Sequence, residues 1–163
     1  MIDEGLVHSV KQVVTEDMNR ILMAPFTKED VKKALFQIGD MKAPGPDGLH
    51  VVFFKWFWHI IGDELTKEVL DAIIHKKIPE GWNSTNVVLI SKVDSPEVLT
   101  QFRPISLCNV VYKIISKMLA NRLKKTLPEV ISPNQSAFVP GRLITDNVLV
   151  AYECFHAIKK KTH

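Results

Sequence analysis

One pair of β-type segments interrupts a chain whose other apolar patterns are helical. Residues 86–93 are rich in β-branched side chains, residues 94–97 are typical of a turn, and residues 102–107 can return as the partner strand. This pattern predicts a single antiparallel hairpin. Pro104 has no backbone N–H, so the second strand must be an edge strand or pair irregularly. One hairpin among helices predicts an α+β, predominantly helical fold.

Three helical patterns precede the hairpin. Thr27 and Asp30 form the sequence signature of a capping box, which predicts a helix that starts at Thr27 and ends near Gly39. Residues 51–61 are apolar on nearly all sides and predict a helix buried in the core. A separate helix is expected over residues 63–77.

Two more helical patterns follow the hairpin. The first begins at Val110 and runs to Leu127, and the last covers about Thr145 to Lys161. Arg122 falls on the apolar side of the first pattern, so its guanidinium is expected to have a specific partner.

Length and composition set the class of protein. With 163 residues and 46% hydrophobic content, the chain is long enough for one ordinary domain. It has no uncharged apolar run of about 18 residues, which argues against a membrane span. The acidic N-terminus is unlike a signal peptide, which predicts an intracellular protein of the nucleus or cytoplasm. Cys108 and Cys154 are predicted to be isolated thiols.

Positive charge is concentrated in the last third of the chain. Lys/Arg against Asp/Glu is five to seven in residues 1–40, six to eight in residues 41–100 and ten to three in residues 101–163, giving −2, −2 and +7. Such a concentration is typical of a surface that meets a polyanion, although lysines scattered for solubility would give the same count.

Two cations are predicted to lie on neighbouring strands of the hairpin. A guanidinium at Arg103 offers a bidentate fork to phosphate oxygens, and the ammonium of Lys92 acts as a point charge, so together they suit a nucleoside triphosphate. The alternative is that both are ordinary edge-strand charges that discourage aggregation.

Three further segments suggest contact with nucleic acid, each with a plain structural alternative. Residues 42–48 (Lys-Ala-Pro-Gly-Pro-Asp-Gly) form a rigid loop that suits either a phosphate cradle or an elbow between helices. A basic stripe at helical spacing suits backbone phosphates or merely a solvated face: Lys113, Lys117, Lys124. An amide, an aromatic ring and a cation suit a single strand: Gln135, Phe138, Arg142. The histidines show no metal-ligand spacing, so no metal site is predicted.

Taken in order, five motifs resemble the fingers region of reverse transcriptases, and in particular those of non-LTR, LINE-type retrotransposons of the kind found in plants. They are residues 42–48, residues 87–92 (Val-Val-Leu-Ile-Ser-Lys), residues 102–114 (beginning Phe-Arg-Pro-Ile-Ser-Leu-Cys-Asn), residues 119–123 (Leu-Ala-Asn-Arg-Leu) and residues 134–142 (Asn-Gln-Ser-Ala-Phe-Val-Pro-Gly-Arg).

The resemblance implies a role for individual residues. It implies that the incoming nucleotide is held by Lys92 and Arg103, with Ile105 under the templating base. It implies that the template strand lies along two groups of residues, in the loop and near the last helix: Pro44, Gly45, Asp47, Gln135, Phe138, Gly141 and Arg142. The implied partners are an RNA template, an RNA/DNA hybrid and a deoxynucleoside triphosphate.

The resemblance also implies what this sequence lacks. Members of the family carry metal-binding carboxylates in a palm strand and in a Tyr-x-Asp-Asp turn, and neither motif occurs in this sequence; Asp146 and Glu153 do not match them. Without such carboxylates no catalytic residue is assigned, and Mg²⁺ is expected only in a full-length relative. The expectation is a fingers subdomain of a right-hand polymerase without its palm, over residues 25–163, with a helical extension over residues 1–24.

The sequence therefore predicts a partial RNA-directed DNA polymerase that binds template and nucleotide and is inactive alone. Two alternatives remain open at this point. One is a non-catalytic nucleic-acid-binding remnant, and the other is a decayed mobile-element product without a cellular role.

Overall fold

The computed structural model of the protein describes residues 13–132, 135–136, 139 and 141–161. Its elements in chain order are α1 (Glu16–Met23), α2 (Lys28–Gln37), α3 (Val51–Trp56), α4 (Trp58–Ile74), β1 (Thr85–Ser91), a 3₁₀ turn (Leu99–Gln101), β2 (Phe102–Cys108), α5 (Val110–Leu123), α6 (Leu127–Val130) and α7 (Ile144–Lys161). This described part is mixed and mainly helical, with one antiparallel two-stranded sheet, as the sequence predicts. None of the described helices has the length and apolar character needed to span a bilayer.

The chain divides into two compact units. One comprises Pro25–Ala120, and the other joins the residues up to Ala24 to those from Asn121 onward. The first unit holds the main hydrophobic core, where α2, α3 and α4 pack on one another and α5 contributes one face. The core side chains are buried and almost all aliphatic: Val31, Ala34, Leu35, Val51, Phe54, Leu65, Val69, Ala72, Val110, Ile114, Ile115 and Met118.

The start of α2 shows how local sequence sets a helix boundary. The Thr27 hydroxyl accepts the backbone amide of Asp30, and the Asp30 carboxylate accepts the backbone amide of Thr27 at 3.0 Å. This reciprocal capping box satisfies amides that have no partner in the first helical turn. The predicted helix start at Thr27 is confirmed.

The prediction of one buried helix over residues 51–61 is wrong. The structure has two helices, α3 and α4, that meet at Phe57. The backbone of Phe57 turns there, with φ −92° and ψ 12°. Val51 and Phe54 reach the core, whereas Trp56 is 72% exposed. A segment that is apolar on all sides has no period, so its pattern cannot reveal a break in the helix axis.

The hairpin forms where predicted, but most of its residues are exposed. β1 and β2 pair from Thr85 opposite Cys108 to Ser91 opposite Phe102, and every residue of β1 is exposed. Pro104 lies opposite Leu89 in a sheet that has only edge strands, which is where a residue without a backbone donor is tolerated.

The helix that follows is shorter than its sequence pattern. α5 ends at Leu123, where the amides of Lys125 and Thr126 bond to carbonyls three residues back. Lys124 therefore lies in a turn and not on the predicted helical stripe. The tight turn leads into α6, where Pro128 lies in the first helical turn, a position at which a missing backbone N–H is tolerated.

Arg122, in the second unit, has the specific partner that its position demands. Its guanidinium donates to the carbonyl oxygen of Leu22 at 3.1 Å and to that of Ala24. These carbonyls lie at the C-terminal end of α1, where they have no partner within the helix. The prediction of a dedicated partner is confirmed.

Candidate nucleic-acid interface

The three residues predicted to hold a nucleotide share one face of the hairpin. Arg103 lies directly opposite Ile90, and Ile105 lies opposite Val88. Directly opposed residues and residues two apart along a strand point to the same face. The backbone amide of Lys92 donates to the Gln101 carbonyl at 2.7 Å, which extends the pairing by one residue and places Lys92 on that face as well.

The two cations of this face differ in their surroundings. The ammonium of Lys92 donates to the carbonyl oxygen of Thr100 at 2.7 Å, so one of its three donors holds the turn between the strands. Arg103 is exposed, and no polar partner of its guanidinium is found among the residues that the structure describes. A guanidinium in this setting can form a bidentate contact with phosphate without first breaking a bond within the protein.

A groove lies within the first unit, between the 38–43 segment, β2 and α5. Its volume is about 790 Å³. The polar side chains of its lining are three lysines, a phenol and two hydroxyls, together with one thiol, and the described lining contains no acid: Lys42, Lys113, Lys117, Tyr112, Ser106, Ser116 and Cys108. Apolar side chains complete the lining: Ile38, Met41, Ala43, Ile105, Leu107 and Ala120. Ile105 thus belongs both to the groove and to the cationic face of the hairpin.

The Pro-Gly-Pro-Asp-Gly loop forms the elbow between α2 and α3 and is anchored at Asn109. The backbone amide of Asp47 donates to Asn109 Oδ1 at 3.3 Å, and Asn109 Nδ2 donates to the Gly81 carbonyl at 3.0 Å. Gly45 is buried against the same residue, so a Cβ there would collide with Asn109 and with the Cys108 carbonyl carbon at 2.6 Å. The loop is therefore fixed to the junction of β2 and α5.

The side chain of Asp47 is also occupied within the loop. Its carboxylate accepts the backbone amide of Leu49 at 3.0 Å, and Gly48 has a φ of 71°, which favours glycine. Pro44 is half-buried, whereas Asp47 is exposed. These contacts support the structural alternative for the loop, an elbow of defined shape, and the template role of Pro44, Gly45 and Asp47 stays a prediction.

The predicted basic stripe is divided between different environments. Lys113 and Lys117 are half-buried in the groove wall, and the ammonium of Lys113 donates to the Ala43 carbonyl at 2.6 Å. Lys124 is exposed in the turn after α5 and belongs to the other unit. Lys113 therefore both holds the loop and contributes charge to the groove.

In the second unit, Arg142 is held by backbone carbonyls. Its guanidinium donates to four of them, with N···O distances from 2.5 to 3.3 Å: Ser132, Gln135, Pro128 and Ile131. Gly141 directly before it has a φ of 80°, which favours glycine. The side chain of Gln135 is exposed, and Phe138, also predicted to contact the template, lies outside the described residues.

Within the described ranges, no three His, Cys, Asp or Glu side chains come together as a group that could hold a metal ion. Cys108 and Cys154 are free thiols.

Sequence reasoning assigned no role to Asn109 and did not include Lys42 or Tyr112 in the site. An asparagine directly before a helix suggests a local cap. The side chain of Asn109 instead contacts Asp47, which is 62 positions away in the sequence, and Gly81, which is 28 positions away. Lys42 could have been found from its place as the first residue of the predicted loop, residues 42–48. Tyr112 carries the least signal, because it lies inside a helical apolar pattern.

Two comparisons with known proteins found sequence similarity. Residues 90–163 match the family described as reverse transcriptase (RNA-dependent DNA polymerase). The transposon TX1 uncharacterized 149 kDa protein of Xenopus laevis is 34% identical over 148 residues, which is 91% of this chain and 11% of that protein. The chain thus spans about a tenth of the length of this relative. The special likeness to plant elements stays a prediction. These two matches support the interpretation of the chain as part of a reverse transcriptase domain of a non-LTR, LINE-type retroelement.

Proposed function

We propose that this chain is the template- and nucleotide-binding portion of a right-hand polymerase, its fingers, and that it does not catalyse DNA synthesis alone. The match to the reverse transcriptase family implies binding of a nucleic-acid template and of nucleotides in general. The finer assignment covers a fingers region over residues 25–163 with residues 1–24 as an extension. Its proposed ligands are an RNA template, an RNA/DNA hybrid and a deoxynucleoside triphosphate.

The observation that carries this proposal is the groove with three lysines and no acid in its described lining. Lysines contact backbone phosphates without reading sequence, and a base can stack on the ring of Tyr112. The apolar side chains of the lining give the bases a surface from which water is removed. A polyanionic strand fits this combination better than a small neutral ligand does.

The cationic face of the hairpin supports the nucleotide assignment. Lys92, Arg103 and Ile105 share that face by register, and Ile105 also lines the groove. A nucleic-acid strand in the groove would therefore bring a base next to Ile105. Arg103 lies two residues away from Ile105 on β2. This proximity is what a site for a nucleotide paired with a template base requires.

The template assignment of the remaining residues rests on the family resemblance and on their exposure. Gln135 and Gly141 are exposed in the second unit, and the loop residue Asp47 is exposed in the first. Each can be reached by a strand, and their template contacts are part of the proposal. The guanidinium of Arg142, in contrast, is engaged by backbone carbonyls within the protein.

The proposal that this chain does not catalyse DNA synthesis by itself rests on its sequence. The two-metal mechanism of nucleotidyl transfer needs carboxylates that hold Mg²⁺ at the primer hydroxyl and the leaving pyrophosphate. The carboxylates of α7, Asp146 and Glu153, do not form the motifs that supply them. We assign Mg²⁺ to a full-length relative and no metal to this chain.

Fluorescence anisotropy with labelled single-stranded RNA tests the groove. Lys42→Ala and Lys117→Ala should each weaken binding and reduce the slope of log Kd against log salt concentration by about 1. Lys67→Ala removes the same charge from an exposed position on α4 outside the groove, so it should leave the slope nearly unchanged. Equal effects of all three variants would contradict the assigned groove.

A nucleotide titration tests the hairpin face. With RNA annealed to a DNA primer, Arg103→Ala should reduce the affinity for deoxynucleoside triphosphate while leaving RNA affinity within about twofold, since removing a charge-assisted bond costs about 1.5–3 kcal/mol. Unchanged nucleotide affinity would exclude Arg103 from the site.

A primer-extension assay tests the prediction of inactivity. The purified 163-residue chain should not extend a primed RNA template with Mg²⁺ and all four deoxynucleotides. Template-dependent extension by this chain would overturn the assignment.

A further inference from the structure

The guanidinium of Arg142 is enclosed by the backbone of the segment that precedes it. It donates to the carbonyls of Ser132 at 2.5 Å, Gln135 at 2.7 Å, Pro128 at 3.1 Å and Ile131 at 3.3 Å. A guanidinium carries five N–H donors, so these four contacts use most of its capacity. The side chain is half-buried, which limits its access to an external ligand.

Among the described residues of the segment that Arg142 contacts, the regular structure is one short helix. α6 has only four residues, and beyond it the backbone is held by isolated bonds, such as Gln135 N to the Ser132 carbonyl at 3.0 Å. Two of the four carbonyls lie in the last turn of α6 and just after it, where helical partners run out: Pro128 and Ile131. One side chain thus supplies the bonds that a longer helix or a sheet would supply elsewhere.

Three described residues next to Arg142 in the sequence support this contact. Ser136 and Val139 are buried at 5% and 6% exposure, and Gly141 turns the chain in the left-handed region so that Arg142 faces back toward the carbonyls. The geometry points to Arg142 as a positioning residue that fixes the backbone of residues 128–132 and of Gln135, and not as a direct ligand of the nucleic-acid strand. The link to template binding rests on the proposed function, whereas the backbone role does not.

The substitution Arg142→Lys separates the two roles. Lysine keeps the positive charge but has three donors on one atom, so it cannot span carbonyls that surround a planar fork. A phosphate ligand would be largely replaced by lysine, whereas a backbone-holding residue would not. Arg142→Lys and Arg142→Ala should therefore behave alike if Arg142 positions the segment.

Hydrogen exchange measured by mass spectrometry on the whole chain gives a readout that does not depend on nucleic acid. Both variants should increase exchange in residues 128–136 by about tenfold or more, since several charge-assisted bonds are lost. Exchange in α4, which belongs to the other unit, should not change. Unchanged exchange in residues 128–136, or an equal increase across the chain, would overturn the positioning role.

RNA binding gives the second readout. Both variants should weaken affinity by a similar factor with the salt slope unchanged, because no phosphate contact is lost. Lys117→Ala serves as the control that lowers the slope. Retention of affinity by Arg142→Lys, with a slope reduced by about 1 in Arg142→Ala, would show a direct phosphate ligand and overturn the inference. If the wild-type chain does not bind RNA, the proposed function fails while the exchange result still decides the backbone role.

Discussion

The side-chain oxygen of Asn109 accepts the backbone amide of Asp47 across 62 positions of sequence, at 3.3 Å. The same side chain donates to Gly81, and the backbone of Asn109 lies against Gly45. One residue thus connects the elbow between α2 and α3, the turn before β1 and the junction of β2 and α5. The loop beside the groove is thus attached to the start of α5, the helix that carries two of the three groove lysines.

Gly45→Ala should destabilise the protein by about 1–3 kcal/mol, because the added Cβ would collide with backbone atoms of Cys108 and Asn109 that cannot rotate away. Gly39→Ala is the matched control: its Cβ would come no closer than 3.7 Å to Lys42, so it should change the free energy of unfolding by less than about 0.5 kcal/mol. Urea denaturation followed by circular dichroism measures both. Equal stability of the two variants would show that the loop is not fixed at Asn109.

Lys55→Met should cost about 1.5–3 kcal/mol of unfolding free energy, because charge-assisted hydrogen bonds are lost while the apolar stem remains. The ammonium of Lys55 donates to the Ile38 carbonyl at 2.7 Å and to the Asp40 carboxylate at 2.6 Å, at the end of α2, and its side chain is only 15% exposed. Lys33→Met, at an exposed position of α2, should be nearly neutral. Thermal unfolding compares the two variants. Similar losses of stability would argue against a stabilising contact of Lys55 with the end of α2.

Gly62→Ala should be destabilising in the wild-type chain and stabilising in a Trp58→Ala background. A Cβ at Gly62 would lie 2.8–3.2 Å from the Trp58 ring, which is held at its edge by Phe36. Without the indole, the usual helical advantage of alanine over glycine, about 0.8–1 kcal/mol, should reappear. A double-mutant cycle measures this reversal. The same sign in both backgrounds would exclude the ring as the cause.

Self-association should be reduced by Phe155→Glu. α7 carries apolar side chains that are 61–73% exposed: Val148, Leu149, Val150, Tyr152, Phe155 and Ile158. Apolar side chains exposed together in this way promote association. Sedimentation velocity over a range of concentrations should show species above 18.5 kDa for the wild type and fewer for the variant. A wild-type chain that stays monomeric throughout would contradict this expectation.

Much of the fold follows from local sequence signals. The capping box at Thr27, the hairpin with its edge proline, and the demand of Arg122 for a partner all depend on residues close in sequence or on simple chemistry, and each appears in the structure. The break at Phe57 did not follow, because an apolar stretch without a period gives no sign of where the axis turns.

The site was less accessible to sequence reasoning than the fold. Strand pairing allowed Lys92 and Arg103 to be predicted on neighbouring strands, since the hairpin is local. The anchoring by Asn109 and the contact of Lys113 with Ala43 join residues 62 and 70 positions apart, and no local pattern specifies such contacts. In the sequence, Arg142 has the chemistry of a phosphate ligand. The structure shows that its guanidinium donates to backbone carbonyls instead.

The exposure of the whole of β1 has a thermodynamic consequence for nucleotide affinity. An isolated two-stranded hairpin is only marginally stable in water, and this one has every residue of β1 exposed, so we expect the free protein to spend part of its time with the strands unpaired. The apparent dissociation constant for a nucleotide then equals the intrinsic constant divided by the fraction of molecules in which the hairpin is formed. Any contact that covers β1 would raise that fraction, and it would tighten nucleotide binding without touching the nucleotide.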